Sequence, residues 1–519
     1  MKYFLQFTQS LIIIFLIAYV NPVISQEFGA IDAPKAPGER EIKLTINLQG
    51  KQLNQVKARL LYSNDSAAVT NRSQTNKFSI LDLVKPIRHV GNDRAEVITI
   101  FPHSDNKVQG KAIYKGGTKV FYYWELTDAR GANPKFSPIR SFVMPRPLTI
   151  AYMGDSYASG EGAPDRNKNP LNPLDKGKWD LDEPCHRSKN SGGELAISKI
   201  IREHKEWEID YINTTCSGAT LLNFFTDNQL KSDNTTFNRV QLEQVDLWLS
   251  QYRYDGLDIL LTDGGGNDMG FAPVAERGLK SIFMGKIDKG LKDYVKAQIE
   301  QLPSRYDAVM NYAESLFALG RVIWFNYPDP TKDKTGKMCT IDPDHGNVVA
   351  NIISRVNPLD CWGPLEKGIH DDDWKFIHDN GLAKLNSEIA KAGQKHGWDL
   401  VDLYNRSNRN GLCNCDDPYF NTFGKSKDIQ GDEYGTLHPN KIGFKNIYES
   451  PLFNQLEKSI EKFQKDYIQD AKRRAIDEAK RKARAKIAWE AIMNQFKDPV
   501  KKPIIEVNQE LIKIQKINK

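Results

Sequence analysis

Polar and apolar residues alternate in the first third of this chain, whereas its middle contains continuous apolar runs separated by helix-like segments. Between residues 41 and 146, short alternating runs are separated by clusters of Gly, Asn and Asp. Examples are Ile42–Leu48, Glu96–Ile100 and Val120–Leu126. Alternation with a period of two is typical of half-buried strands. We therefore predict a β-sandwich over residues 41–146, with Gly131–Asn133 as a hairpin loop.

The pattern changes after Pro145–Pro147 to apolar strands that alternate with helices. The predicted strands are Leu148–Met153, Trp207–Asn213, Leu257–Leu261, Arg321–Asn326 and Trp398–Leu403, and the helices include Gly193–His204, Tyr306–Leu319 and Ala383–His396. Such repeats build a parallel sheet whose functional loops lie at the carboxyl ends of the strands. Ser156, Gly218 and Asn267 each follow a predicted strand, so we expect them to meet at one edge of that sheet.

Four short blocks carry the chemistry of this region. They are Gly154-Asp155-Ser156, Cys216–Thr220, Gly264–Asp268 and Thr436–Asn440. A serine hydroxyl becomes a nucleophile when a histidine takes its proton, and fixed donors must stabilise the resulting oxyanion. The ordered set indicates a serine hydrolase.

These blocks resemble those of the SGNH, or GDSL, hydrolase family over roughly residues 148–450, and the segments Cys185–Ser188 and Cys216–Thr220 resemble a secreted branch of lipases and esterases. The resemblance implies a flavodoxin-like, three-layer α/β domain. It makes Ser156 the nucleophile and His438 the base. It assigns the oxyanion hole to the amides of Ser156 and Gly218 and the side chain of Asn267. No cofactor is implied.

The sequence departs from the family at the acid. Family members commonly have an aspartate three residues before the histidine, and this chain has Gly435 there. We expect a Ser-His dyad in which a nearby backbone carbonyl orients His438. Asp432 is the alternative third member, and Glu433 is a further acceptor.

Other interpretations of these motifs fit the sequence less well. Asp155 and Asp268 are interpreted as residues that fix turns, because no further metal ligands accompany them. Gly264–Gly266 lacks the spacing of a dinucleotide-binding loop. An α/β-hydrolase elbow would need glycine at Ala158.

The amino terminus and the cysteines indicate export. Leu11–Val20 is apolar and precedes a small-residue cleavage site, which predicts a signal peptide at residues 1–25, followed by a linker at residues 26–40. An uncleaved anchor is the alternative. Six cysteines suit an oxidising compartment, with Cys185–Cys216 as the first pairing to expect, and a zinc site is the rival use. We predict a secreted protein, extracellular or periplasmic.

The last segment, residues 455–519, is basic, with 17 Lys and Arg against 10 Asp and Glu. Residues Glu457–Asn494 lack Pro and Gly, which predicts a long helix. We interpret it as a solvated helix, with contact to an anionic surface as the alternative. The hydrolase domain is placed at residues 147–454, and no nucleic-acid partner is expected.

The sequence thus predicts an ester hydrolase acting on a lipid or short-chain acyl ester. Two alternatives remain open: a carbohydrate acetyl esterase, and a catalytically silent binding or adhesion module. The N-terminal region resembles immunoglobulin-like or fibronectin-like modules, a likeness of fold that says little about activity.

Overall fold

The computed structural model describes most of residues 144–469 and the strands that precede them. Within 144–469 it leaves out 173–174, 231–236, 271–286, 288, 333–334, 337, 339–370, 408–409, 413 and 415–416. The predicted signal peptide, the chain beyond residue 469 and the four cysteines Cys339, Cys361, Cys413 and Cys415 lie outside the described residues. None of the helices in the described part is long and apolar enough to cross a membrane.

The chain divides into two compact units. One comprises Met1–Leu148 with His204–Asp210, and the other comprises Thr149–Glu203 with Tyr211–Lys519. Each is described separately below.

The first unit contains two antiparallel sheets, with the strand orders β1-β2-β6-β5 and β4-β3-β7-β8, and β9 also pairs with β7. Its strands are β1 Ile31–Asp32, β2 Glu41–Asn47, β3 Val56–Ser63, β4 Ser79–Leu81, β5 Arg88–His89, β6 Arg94–Ile100, β7 Lys119–Asp128, β8 Lys135–Phe136 and β9 Arg140–Val143. Tyr123 is buried and packs edge-to-face on Phe136. The antiparallel strands are as predicted, and their arrangement as a sandwich stays a prediction.

The second unit is built on a five-stranded sheet with the order β11-β10-β14-β15-β16, and a separate two-stranded ribbon pairs β12 with β13. Its strands are β10 Leu148–Met153, β11 Ile209–Asn213, β12 Gln229–Leu230, β13 Phe237–Asn238, β14 Gly256–Thr262, β15 Ala318–Phe325 and β16 Asp399–Val401. β14 pairs in parallel with β10 and β15, and β15 pairs in parallel with β16. Every residue of β10 and β14 is buried, as in a parallel sheet covered on both faces.

The helices that the structure describes lie between and after these strands along the chain. They are α1 Ser156–Ser159, α2 Gly192–Glu203, α3 Leu222–Phe225, α4 Gln241–Tyr252, α5 Lys289–Leu316, α6 Asp371–Phe376, α7 Ala383–His396, α8 Phe423–Ile429, α9 Lys441–Gly443 and α10 Ser450–Gln469. Two π-helical turns, Ile377–Leu382 and Phe444–Glu449, and a 3₁₀ turn at Tyr404–Ser407 complete the set. Helices α2 and α10 pack together, and α5 packs against α3, α4 and α7. The predicted α/β fold with a parallel sheet is confirmed.

Two predicted boundaries need correction. The helix predicted at Tyr306–Leu319 is the carboxyl-terminal part of α5, which ends at Leu316, because β15 begins at Ala318 and pairs there with Gly256. The tail predicted to begin at residue 455 starts inside α10. Leu456, Ser459 and Ile460 of that helix are buried, and Ser459 donates a hydrogen bond to Asp399. The first part of the predicted tail therefore belongs to the core of the second unit.

The strand order places the loops of interest together. Numbered along the chain, the five strands of the sheet follow the order 2-1-3-4-5, which reverses direction between β10 and β14. In doubly wound sheets, ligands bind in the crevice beside the carboxyl ends of the strands at such a switch point. Ser156 follows β10 and Asn267 follows β14. The fold therefore positions both residues at the site where a ligand is expected.

Candidate active site

Ser156 is the first residue of helix α1 and is presented by a tight turn. Gly154 has φ +144°, and a Cβ built there would lie 2.1 Å from Asp263 Oδ1 and 2.5 Å from the Ala158 Cβ. Only glycine fits this position. Asp155 caps the helix by accepting a hydrogen bond from the Tyr157 amide at 2.9 Å, which confirms its predicted role in the turn.

Residues from distant parts of the chain hold this turn. The side-chain amide of Gln241 accepts a hydrogen bond from the amide of Gly154 and donates one to its carbonyl, both at 2.9 Å. The Tyr327 hydroxyl donates to Asp155 Oδ2 at 2.6 Å. Asp263 accepts a hydrogen bond from the Asp155 amide. Burial raises the pKa values of both carboxyl groups, that of Asp155 to about 6.

His438 lies against the serine. Its Nε2 is 2.7 Å from Ser156 Oγ, and its Nδ1 is 3.1 Å from the carbonyl oxygen of Thr436. A carbonyl accepts only, so Nδ1 carries the proton and Nε2 is left to accept the serine proton. Burial lowers the pKa of His438, which keeps the ring neutral. The preceding residue, Leu437, has φ +66°, and the Tyr157 hydroxyl donates to its carbonyl.

The structure brings a carbonyl rather than a carboxylate to His438 Nδ1. The carboxylate of Asp432 accepts hydrogen bonds from Gln430 Nε2 at 2.5 Å and from the Tyr434 amide at 3.1 Å. The geometry therefore gives Asp432 partners other than the base, and it matches the predicted orientation of His438 by a nearby backbone carbonyl.

Gly218 lies in a loop that is attached to the serine turn. It has φ +82°, and a Cβ built there meets only Gln229 Nε2, at 3.5 Å. The glycine is therefore required by the backbone conformation and not by lack of space. Two residues earlier, the amide of Cys216 donates to the carbonyl of Gly154 at 3.1 Å. Cys216 also forms a disulfide with Cys185, as predicted.

Asn267 lies in the glycine-rich loop after β14. Its Nδ2 donates to the carbonyl of Ala219 at 2.9 Å, which joins this loop to the loop of Gly218. The next residue, Asp268, accepts a hydrogen bond from the Leu221 amide and forms a buried ion pair with Arg305 of α5. Asp268 therefore fixes the Asn267 loop through other elements, where the sequence predicted a local turn.

A pocket opens beside these residues and has mainly apolar walls. Ser156 and Asn267 line it on one side. The remaining lining residues are Asp155, Tyr157, Gly266, Met269, Tyr327, Pro330, Ile377, Leu382, Leu385 and Leu437. Ile377 and Leu382 come from the π-helical turn before α7, a distortion that is frequent at functional sites. The pocket can hold an apolar group next to the serine hydroxyl.

A buried carboxylate near the site was missed in the sequence. Glu161 is fully buried, and its carboxylate contacts His186 Nδ1 at 2.5 Å and Gln430 Nε2 at 2.6 Å. Burial raises the pKa of Glu161, but the charge and hydrogen bond of His186, the charge of His438 and a hydrogen bond with Ser217 together outweigh it and hold the pKa at about 2. No local pattern marks Glu161, because its partners are 25 and 269 residues away.

Comparison with known proteins finds likeness at the level of structure. No family model and no curated protein sequence matches this chain. An extracellular lipase from Streptomyces rimosus is 19% identical with a TM-score of 0.39, and the match covers 59% of this chain and 99% of that chain. Phospholipase A1 from Streptomyces albidoflavus is 18% identical with a TM-score of 0.36, over 60% of this chain and 99% of that chain. A protein described as a GDSL-like lipase, from Parabacteroides merdae, is 10% identical with a TM-score of 0.26, over 60% and 94%. The solved structures that are similar to this chain thus include lipases and a GDSL-like lipase, at TM-scores below 0.5.

Proposed function

We propose that this protein is a serine carboxylic ester hydrolase of the SGNH type that works through an acyl-enzyme on Ser156. The observation that carries the proposal is the 2.7 Å contact between His438 Nε2 and Ser156 Oγ at the switch point of a parallel sheet. A nucleophile hydrogen-bonded to a base that is itself oriented by a third group is the arrangement that activates serine. The third group is the Thr436 carbonyl, so the catalytic unit is a Ser-His dyad.

In the proposed reaction, Ser156 Oγ attacks the ester carbonyl while His438 Nε2 takes its proton. The amides of Ser156 and Gly218 and the Nδ2 group of Asn267 stabilise the oxyanion. Nδ2 carries two hydrogens, and the one not directed at Ala219 serves this purpose. His438 then protonates the leaving alcohol, and water activated by the same ring releases the acid.

The apolar pocket supports an ester whose acyl part is a hydrocarbon chain. Met269, Ile377, Leu382 and Leu385 give apolar walls for such a chain. Burying each methylene of an acyl chain there contributes about 0.8 kcal/mol. We therefore propose a lipid or short-chain acyl ester as the substrate, in preference to an acetylated carbohydrate.

Secretion is part of the proposal. The disulfide between Cys185 and Cys216 supports an oxidising compartment, because cytosolic proteins of mesophiles rarely keep structural disulfides. The signal peptide and the contact of the tail with an anionic surface remain predictions, since residues 1–25 and 470–519 lie outside the described structure.

The test is hydrolysis of p-nitrophenyl esters with acyl chains from two to sixteen carbons by the mature protein and by Ser156→Ala. We expect turnover on acyl chains longer than acetate, and a fall of at least about 10³-fold in the variant. An optimum at acetate would instead favour the acetyl esterase. Turnover that survives in Ser156→Ala, or none on any ester by the folded protein, would reject the proposal and favour a binding module.

A further inference from the structure

The space that an aspartate side chain at position 435 would need is already occupied. A Cβ built on Gly435 would lie 2.6 Å from Gln430 Oε1 and 2.9 Å from Ser426 Oγ. An aspartate therefore cannot be accommodated at this position unless Gln430 moves. Gln430 is instead used elsewhere: its Oε1 accepts from the Gly162 amide at 3.2 Å, and its Nε2 donates to Glu161.

Glu161 belongs to the segment that lies between the serine and the histidine. Its amide donates to the carbonyl of Ser156 at 3.1 Å. A Cβ built on the next residue, Gly162, would be 3.1 Å from the Cβ of His438, and the carbonyl of Gly162 accepts from Asn421 Nδ2. Asn421 in turn bonds the backbone of His438 through its own amide. Glu161 is thus coupled to both proposed catalytic residues through short, buried backbone connections.

His186 completes the group from a third segment. It has φ +51°, and its ring stacks on Trp179 with the centroids 3.9 Å apart. Its neighbour Cys185 is bonded to Cys216, and the carbonyl of Cys185 accepts from the Ser217 amide, one residue before Gly218. The Glu161–His186 contact therefore links the serine segment to the loop that carries Gly218.

We propose that Glu161, held by His186 and Gln430, is a positioning residue that fixes these three segments and provides the carboxylate that stabilises protonated His438, in place of an acid at position 435. This rests on the proposed function above, because the charge matters only when His438 accepts the serine proton. Glu161 acts at a distance and does not touch the reacting atoms.

The charges around Glu161 and His186 show in which direction the pKa of His438 changes when the charge of Glu161 is removed. Burial lowers the pKa of His438, and among the charges that act on it, Glu161 raises the pKa more than His186 lowers it. Burial opposes protonation of His186 as well, but Glu161, Asp432 and Glu183 together raise its pKa. Burial and the charge of Glu161 raise the pKa of Asp432. Removing the charge of Glu161 therefore lowers the pKa of His438, even when His186 becomes neutral with it.

The experiment compares Glu161→Gln with the native protein by the pH profile of kcat/KM on the best p-nitrophenyl ester. The rate falls in acid as His438 becomes protonated, so a lower pKa of His438 moves the acid limb to lower pH. We expect that shift, together with a loss in kcat of about tenfold or more and little change in KM. Glu194→Gln is the matched control, because Glu194 is also buried but accepts from Tyr211 and Asn213. Its acid limb should not move.

His186→Asn separates charge from structure. Asparagine tolerates the left-handed backbone and keeps an amide donor for Glu161, but it removes the charge of His186 that lowers the pKa of Glu161. At a pH above this raised pKa the carboxylate remains, and kcat there should stay within about tenfold of native. A purely structural role would make both variants lose activity equally, since each alters the same contact.

Equal losses, or an unmoved acid limb in folded Glu161→Gln, would overturn the inference. Should Glu161→Gln not fold, a loss beyond about 100-fold in folded His186→Asn would overturn it alone. Neither result would affect the dependence of turnover on Ser156, which tests the proposed function separately.

Discussion

At the scale of single residues, the site combines groups whose roles depend on burial. His438 is almost fully buried, so its neutral form is favoured and it is ready to accept a proton. A carbonyl from Thr436 orients the ring but brings no full negative charge. The proposed dyad therefore depends on the Ser156–His438 contact itself and gains little from Asp432.

The dyad predicts unequal effects of two substitutions. His438→Ala removes the base and should lower kcat by at least about 10³-fold. Asp432→Ala removes hydrogen bonds to Gln430 and Tyr434 but leaves the Thr436 carbonyl on Nδ1, so we expect a loss of about tenfold or less. Steady-state kinetics on one ester measures both. Losses of the same size would show that Asp432 is a third catalytic member.

At the scale of elements, long helices hold short loops in place. The loop after β14 contains three consecutive glycines and cannot fix Asn267 by its own conformation. Arg305 of α5 reaches Asp268 Oδ1 at 2.9 Å, and both side chains are almost fully buried. Gln298 and Gln301 accept hydrogen bonds from the same guanidinium group. The position of Asn267 thus depends on a helix that begins 22 residues later in the chain.

We therefore predict that Arg305→Met lowers both stability and activity. It leaves Asp268 buried without its partner, which costs about 3–5 kcal/mol. Urea unfolding and kcat on the same ester measure the two effects. Arg321→Met is the control, because Arg321 forms a half-buried pair with Asp399 at the amino end of β16. The control should be destabilised less and should keep its kcat. A loss of kcat in both variants alike would contradict a specific role of Arg305 at the Asn267 loop.

At the scale of the whole molecule, the second unit extends further along the chain than its motifs do. The last motif ends at Asn440, yet α10 continues to Gln469 and buries Leu452, Leu456 and Ile460. Phe463 of this helix lies against Gly320, where a Cβ would be 2.9 Å from its ring. Helix α10 therefore completes the core of the unit that carries the site.

Two truncations test this boundary. Removing residues 455–519 takes away Leu456 and Ile460, each of which contributes about 1.5–3 kcal/mol by its burial. We expect that variant to lose cooperative thermal unfolding and ester hydrolysis. Removing only residues 470–519 leaves every described residue in place and should preserve both. If the longer deletion behaved like the shorter one, α10 would not be part of the core.

The sequence by itself determined the periodic pattern of five strands and the residues that follow them, whereas the structure decided the pairing of Cys185 with Cys216, which the sequence indicated only as the first to expect. The strands and the residues after them are local features, or are fixed by the rule that parallel strands direct their carboxyl ends to one edge. The tertiary structure alone decided which groups surround the serine and histidine. Gln241, Tyr327 and Arg305 act on residues tens to more than 170 positions away. The Glu161–His186 contact arises in the same way, because burial and packing set these partners and no spacing along the chain records them. The carbonyl on His438 is different, since it comes from Thr436, only two residues earlier.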